Sequence, residues 1–240
     1  MIRHDRVILQ ATAQPHWFLP GATGTETENP PPETWQQAAR HWLVQGRPLV
    51  MARQPEDAGE TASAIYLGLK IYLGQQGHCL SCKVAAEAIA SVLPPLSLND
   101  CLHRLTAQDA AVLCTLQESI LKCGARLGVY GSLAWECMAR RALRHPASDV
   151  DLVCDVSDYE QMGVALTALR QASTQLSCRL DGEIRFGATQ AVAWRELEQA
   201  LQRPQQSRVL VKGNRELALV PTAQLFAGQS IEMPAEAQYA

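Results

Sequence analysis

Val129-Tyr130-Gly131-Ser132-Leu133-Ala134-Trp135 and, downstream, Ser148-Asp149-Val150-Asp151-Leu152-Val153 are the two segments around which the rest of the sequence arranges itself. The first reads as a strand running into a Gly-Ser turn and then a helix, which places backbone N–H groups at a helix N-terminus where an anion can be held. Glycine at 131 lets backbone approach a phosphate closely, and the Ser132 hydroxyl either caps the helix or meets the same phosphate. In the second segment, two carboxylates stand at i and i+2 of a strand that otherwise reads as buried. Period-two geometry puts Asp149 and Asp151 on one face, roughly 6.5 Å apart along the strand. Two like charges there repel and are costly to desolvate, so a divalent cation between them is the natural compensation. Taken alone, an Asp-x-Asp pair fits the solvent side of an edge strand better than a charged site. Its coupling to the upstream Gly-Ser turn favours a charged site.

Outward from these segments the C-terminal half is regular. A helix is predicted over 107–125, with Leu113, Leu116, Ile120 and Leu121 at helical spacing. Strands follow at 127–130 and 149–156, with a helix over 133–143 between them. A helix at 159–171, strands near 178–186 and 191–194, a short helix at 196–201, and strands at 208–212 and 216–220 complete the half. The segment Arg179-Leu180-Asp181-Gly182-Glu183-Ile184 offers two further carboxylates on one strand face, or else a tight turn at Asp181-Gly182.

The N-terminal half carries most of the prolines, with a loop at Asn29-Pro30-Pro31-Pro32. Val7-Ile8-Leu9 and Pro48-Leu49-Val50-Met51 suit strands, and 33–43 suits a short helix. Residues 63–73 read as a strand pair or a helix, and alanine-rich 83–92 as a helix stopped by Pro94-Pro95. The change of character at Leu93-Pro94-Pro95-Leu96 marks a boundary between a smaller N-terminal α/β region, 1–96, and a larger region, 97–240. The expected class is α+β, a mixed sheet flanked by helices.

Composition sets the outer limits. The chain has 240 residues, of which 47% are apolar and 19% charged, as in a folded, enzyme-sized protein. A net charge of −3 argues against broad nucleic-acid binding, which needs a basic surface. No stretch approaches the roughly 20 apolar residues of a membrane span, and Met1-Ile2-Arg3-His4-Asp5 opens no secretory run, so the cytoplasm is the expected compartment. The eight cysteines are scattered through apolar segments, as reduced core thiols are.

Gly131-Ser132 followed by Asp149-Val150-Asp151 between apolar neighbours resembles the nucleotidyltransferase superfamily, whose pattern includes a third carboxylate on a later strand. Asp181 best resembles that isolated acidic residue, with Glu183 as its competitor. More narrowly, Tyr130-Gly131-Ser132-Leu133-Ala134-Trp135, His145-Pro146 and Ser148-Asp149-Val150-Asp151-Leu152 resemble the malonate decarboxylase holo-acyl-carrier-protein synthases. Arg3-His4-Asp5, Pro48-Leu49-Val50 with Arg53, Pro94-Pro95-Leu96, Asp181-Gly182-Glu183 and Val192-Ala193-Trp194-Arg195-Glu196-Leu197 extend the likeness over most of the chain. Two departures stand out: Glu136 replaces an expected neutral amide, and 56–81 matches nothing in the pattern.

The resemblance implies transfer of a phosphoribosyl-dephospho-CoA group from 2′-(5″-triphosphoribosyl)-3′-dephospho-CoA to a serine of the apo acyl-carrier protein of malonate decarboxylase, with loss of pyrophosphate. It further implies Mg²⁺ ions held by Asp149, Asp151 and Asp181, hard oxygen ligands that suit Mg²⁺ better than Zn²⁺. Asp181 or Glu183 would take the serine proton, and Gly131 and Ser132 would hold the triphosphate. Lys83 and Arg53 are candidates for further phosphate contacts, as is Lys212, against plain surface charge. Trp135 suits adenine stacking or a core position, and His145 is a loop histidine. Cys79-x-x-Cys82 lacks the second ligand pair that structural zinc needs. Two alternatives stay open: a nucleotidyltransferase moving AMP to a protein or small molecule, and a non-catalytic scaffold of the same fold.

Overall fold

Alternating apolar residues in the first ninety-five positions build an antiparallel sheet, and a second sheet forms from the residues that follow. The computed structural model describes residues 1–20, 31–55, 64–74, 76–145, 148–187 and 190–225. Asn29, Pro30, Ser63 and Pro146 of the readings above lie outside them. The described residues divide into two compact units, one drawn from 1–95, 134–143 and 213–216, the other from 96–133, 144–212 and 217–225.

The first unit contains β1 (Arg6–Leu9), β2 (His16–Phe18), α1 (Glu33–Val44), β3 (Leu49–Met51), β4 (Ala64–Leu73), β5 (Gln76–Ala85) and β6 (Ile89–Leu93). Its strands lie in the order β2-β5-β4-β3-β1-β6, all antiparallel. The predicted helix over 83–92 is not formed. Lys83 instead sits mid-strand opposite His16 and Tyr66, and Ala85 pairs with Ala64. Alanine scores well as a helix former, but Leu80, Cys82 and Val84 are buried at period two, and that burial decides in favour of a strand. The ambiguous segment ending at Leu73 is likewise one long strand, β4. Two sheets therefore replace the single central sheet expected from the sequence.

In the second unit are α2 (Leu98–Cys101), α3 (Ala107–Lys122), β7 (Arg126–Tyr130), α4 (Gly131–Ala139), β8 (Val150–Val156), α5 (Tyr159–Ser173), β9 (Leu180–Phe186), β10 (Gln190–Ala193), α6 (Trp194–Leu201), β11 (Arg208–Lys212) and β12 (Leu217–Pro221), except that α4 from Ala134 onward clusters with the first unit. The sheet order is β12-β11-β10-β9-β8-β7, and β8–β9 is its parallel pair. Parallel neighbours need a crossover, which α5 supplies between them. Asp158 caps α5 by accepting the Gln161 N–H at 2.8 Å. Met162, Leu166 and Leu169 of α5 are buried, as are Leu113, Leu116 and Ile120 of the adjoining α3. On β8, Val150, Leu152, Cys154 and Val156 are buried at period two, which leaves Asp151 and Asp155 on the opposite face. No described helix is long and apolar enough to cross a membrane.

Candidate active site

Register brings the carboxylates together. Along the parallel β8–β9 pair Asp151 stands beside Asp181, while across the antiparallel β7–β8 pair Tyr130 stands beside Asp151. Asp149 lies two residues before Asp151, at the entry to β8. Gly182 makes the close strand approach possible: its φ of +147° is a glycine conformation, and a Cβ there would fall 2.9 Å from the Leu152 carbonyl carbon and nearer still to its oxygen. The segment Asp181-Gly182 is thus strand, not turn.

Above Asp151, the chain enters α4 through Gly131, whose φ is +65°. A Cβ at this position would lie 2.6 Å from the Asp151 carboxyl carbon and closer to Oδ2. With no side chain in the way, the next backbone N–H, that of Ser132, donates to the Asp151 carboxylate. The Ser132 hydroxyl donates to the Asp149 carbonyl at 3.2 Å. Both polar groups of Ser132 therefore fasten the turn to the carboxylate segment. Burial pushes the Asp151 carboxyl above its ordinary pKa; the charges of Asp181 and Asp149 add to the rise, and the Ser132 N–H and Arg144 oppose it. Replacing Gly131 by alanine should cost about fiftyfold in transfer, because the methyl group and the carboxylate claim the same space and Asp151 must move. Measured rates together with an unchanged far-ultraviolet circular dichroism spectrum would check this, and near wild-type turnover would sink it.

Positive charge at the site comes from residues that carried no sequence signal. Arg179 reaches Asp149 Oδ2 with Nη1 at 3.6 Å and Asp181 Oδ2 with Nη2 at 3.4 Å. Arg144 donates to the Ser148 carbonyl at 3.2 Å. The loop leading to Arg179 is anchored by buried Asp109, which accepts the Ser177 N–H at 2.8 Å and its O–H at 2.7 Å. Only proximity in the fold identifies these partners, since their spacing along the chain follows no motif.

Glu183 has a different environment from Asp181. It stands beside Val153, is 4% exposed, and holds Lys212 Nζ at 2.9 Å through Oε1. Lys212 is accordingly committed to a buried carboxylate. Farther along the same face Arg185 pairs with Asp155, through Nε to Oδ1 and through Nη2 to Oδ2 at 2.8 Å. Lys83 on β5 and exposed Arg53 after β3 both belong to the first unit. So does Trp135, whose ring centroid lies 5.8 Å from that of Trp42. Exposed His145 engages Ser148 through its backbone. Buried Glu136 accepts the Leu143 N–H at 2.9 Å, a use for a carboxylate where an amide was expected.

Cys79 and Cys82 occupy one strand three residues apart and so point to opposite faces; burial pushes the Cys82 thiol up to about 12. They cannot share a metal. Among the described residues no three His, Cys, Asp or Glu side chains converge as a ready-formed metal centre. The chemistry of the donor set around Asp151 nevertheless suits a hard cation: the three carboxylates bear mutually repelling charge, opposed by Arg144 at Asp151 and by Arg179 at Asp149 and Asp181.

Residues 97–223 match the model of the phosphoribosyl-dephospho-CoA transferase MdcG C-terminal domain, and residues 2–95 match that of the N-terminal domain. A phosphoribosyl-dephospho-CoA transferase of Xanthomonas euvesicatoria pv. vesicatoria is 28% identical over 228 residues, 95% of this chain and 98% of that protein. One from Xanthomonas campestris pv. campestris strain 8004 is 30% identical, covering 93% of this chain and 96% of that protein. A relative of the same name from Bradyrhizobium diazoefficiens is 25% identical and covers 70% of this chain and 72% of its own length. No solved structure matches the chain. With both family models matched in sequence order, the chain belongs to the phosphoribosyl-dephospho-CoA transferase MdcG family.

Proposed function

We propose that this transferase moves the phosphoribosyl-dephospho-CoA group from 2′-(5″-triphosphoribosyl)-3′-dephospho-CoA to a serine of the apo acyl-carrier protein of malonate decarboxylase, releasing pyrophosphate. The observation that carries this reading is the cluster of Asp149, Asp151 and Asp181 beneath the Gly131-Ser132 turn, in a member of this family. The parallel β8–β9 pair with its α5 crossover, entered from the strand–turn–helix of β7 and α4, supports assignment of the second sheet to the nucleotidyltransferase type.

In the proposed reaction the carrier serine oxygen attacks the 5″-phosphorus of the donor, and a new O–P bond forms. The serine proton passes to the carboxylate of Asp181. The bond from that phosphorus to the bridging oxygen breaks, and its electron pair leaves with pyrophosphate. Asp149, Asp151 and Asp181 would hold Mg²⁺, which when bound supplies positive charge against the phosphate oxygens. Beyond the Ser132 N–H, which Asp151 takes, the first N–H groups of α4 would hold part of the triphosphate. Gly131 keeps the Asp151 carboxylate against the Ser132 N–H throughout, so the acidic group does not reorganise during transfer.

Mass spectrometry of the apo carrier after incubation with enzyme, Mg²⁺ and the triphosphoribosyl donor tests the assignment. A gain of one phosphoribosyl-dephospho-CoA group, absent with Asp151→Asn enzyme, is expected. An unchanged carrier with an active donor preparation would sink it. A gain of AMP from ATP in the same assay would instead indicate a general nucleotidyltransferase.

A further inference from the structure

Arg179 reaches the two outer carboxylates of the cluster with separate nitrogens: Nη1 to Asp149, at the entry to β8, and Nη2 to Asp181, on β9. Asp181 Oδ1 already accepts the Gly182 N–H at 2.8 Å, so Oδ2 is the oxygen left to face a cation, and that is the oxygen Arg179 meets. The backbone of Arg179 is fixed, because its carbonyl accepts the Val150 N–H at 2.9 Å and the Ser177 clamp holds the residues before it. Its side chain is not: 61% of it is exposed, at pair distances longer than strong charge-assisted hydrogen bonds. An exposed pair of this kind is weak and readily exchanged for a better partner.

We propose that Arg179 is a displaceable counter-ion, which holds Asp149 and Asp181 together while no metal is bound and competes with the divalent cation for the same oxygens. The inference rests on the reading that these carboxylates take a hard cation. It goes further in assigning to one arginine the control of how tightly that cation binds. A fixed backbone with a solvent-exposed side chain suits this exchange, since the guanidinium can swing aside without disturbing β8 or β9. The doubly bound fork matters as well as the charge: a lysine at 179 has one nitrogen and cannot span both carboxylates as Arg179 does.

Direct metal titration of the full-length chain separates the possibilities. Mn²⁺ is the probe, a hard divalent ion whose free form is read by electron paramagnetic resonance. Arg179→Gln should bind Mn²⁺ about fivefold more tightly than wild type, with Arg179→Lys between the two. Arg170→Gln serves as the charge control: Arg170 lies on α5 of the same unit, 60% exposed and 3.6 Å from Glu198, and its loss should leave the affinity unchanged. If Arg179→Gln bound Mn²⁺ no more tightly than wild type, while Asp151→Asn lost it, the metal site would stand and the competition would be overturned. Equal tightening in Arg170→Gln and Arg179→Gln would likewise overturn it, as a general charge effect. Absence of Mn²⁺ binding in every variant would remove the metal reading and this inference together.

Discussion

Asp151→Asn should lower transfer by roughly a thousandfold, about 4 kcal/mol in the barrier, while raising the melting temperature of the metal-free protein. The two effects share one cause. Asp151 is the central carboxylate, with Asp149 two residues before it, Asp181 in register beside it and the Ser132 N–H donated to it. Burial and its acidic neighbours raise its pKa above the unfolded value. Between those two values the folded chain binds more protons than the unfolded chain, so this group's contribution to stability is present at low pH and is lost as pH rises through the folded pKa. At neutral pH the ionised group is therefore a cost, which the neutral asparagine avoids while its amide oxygen still accepts the Ser132 N–H. The melting gain of Asp151→Asn over wild type should be largest at neutral pH and shrink on acidification. Melts across that range in chelator, beside rates in Mg²⁺, measure both halves. A variant that retained more than about a tenth of the activity would show that Asp151 is no ligand.

Where each residue's own neighbours decide its state, the sequence was readable. The order strand, Gly-Ser turn, helix, strand, helix, strand from β7 to β9 follows from local patterning, and the observed elements agree with it to within a few residues. Asp149 and Asp151 are separated by one residue, so their shared face needed only the period of a strand. The stretch 83–92 combines a helix former's composition with the end of a strand's alternation. Leu80, Cys82 and Val84 carried the period-two signal, but Ala85, Ala86, Ala88 and Ala90 obscured it, and pairing with β2 and β4 overrode helix propensity. The charges around the carboxylates were hidden for another reason. Arg179 joins Asp149 across a separation of 30, Asp109 binds Ser177 across 68, and Lys212 meets Glu183 across 29. Such pairings are set by strand order and loop closure, which no local period encodes.

The same contrast decides between the two later carboxylates. Asp181→Asn should cut transfer at least a hundredfold and leave folding intact, whereas Glu183→Gln should spare the chemistry and weaken the fold. Asp181 is one-third exposed, in register with Asp151, and shares Arg179 with Asp149, so on the proposed reaction its carboxylate is the one open to accept the serine proton. Removing its charge takes away a proton acceptor without opening a cavity or orphaning a buried group. Glu183 is enclosed, and its carboxylate neutralises Lys212 at 2.9 Å. A glutamine there keeps the shape but leaves the ammonium without its counter-charge, at a cost of about 1–2 kcal/mol once the partial exposure of Lys212 is allowed for. Urea melts and single-turnover transfer rates on both variants separate the roles. An unstable but catalytically normal Glu183→Gln, beside a stable but inactive Asp181→Asn, is the expected pair. The opposite ranking would move the proton acceptor to Glu183 and make Asp181 a partner of Arg179 and the Gly182 N–H alone.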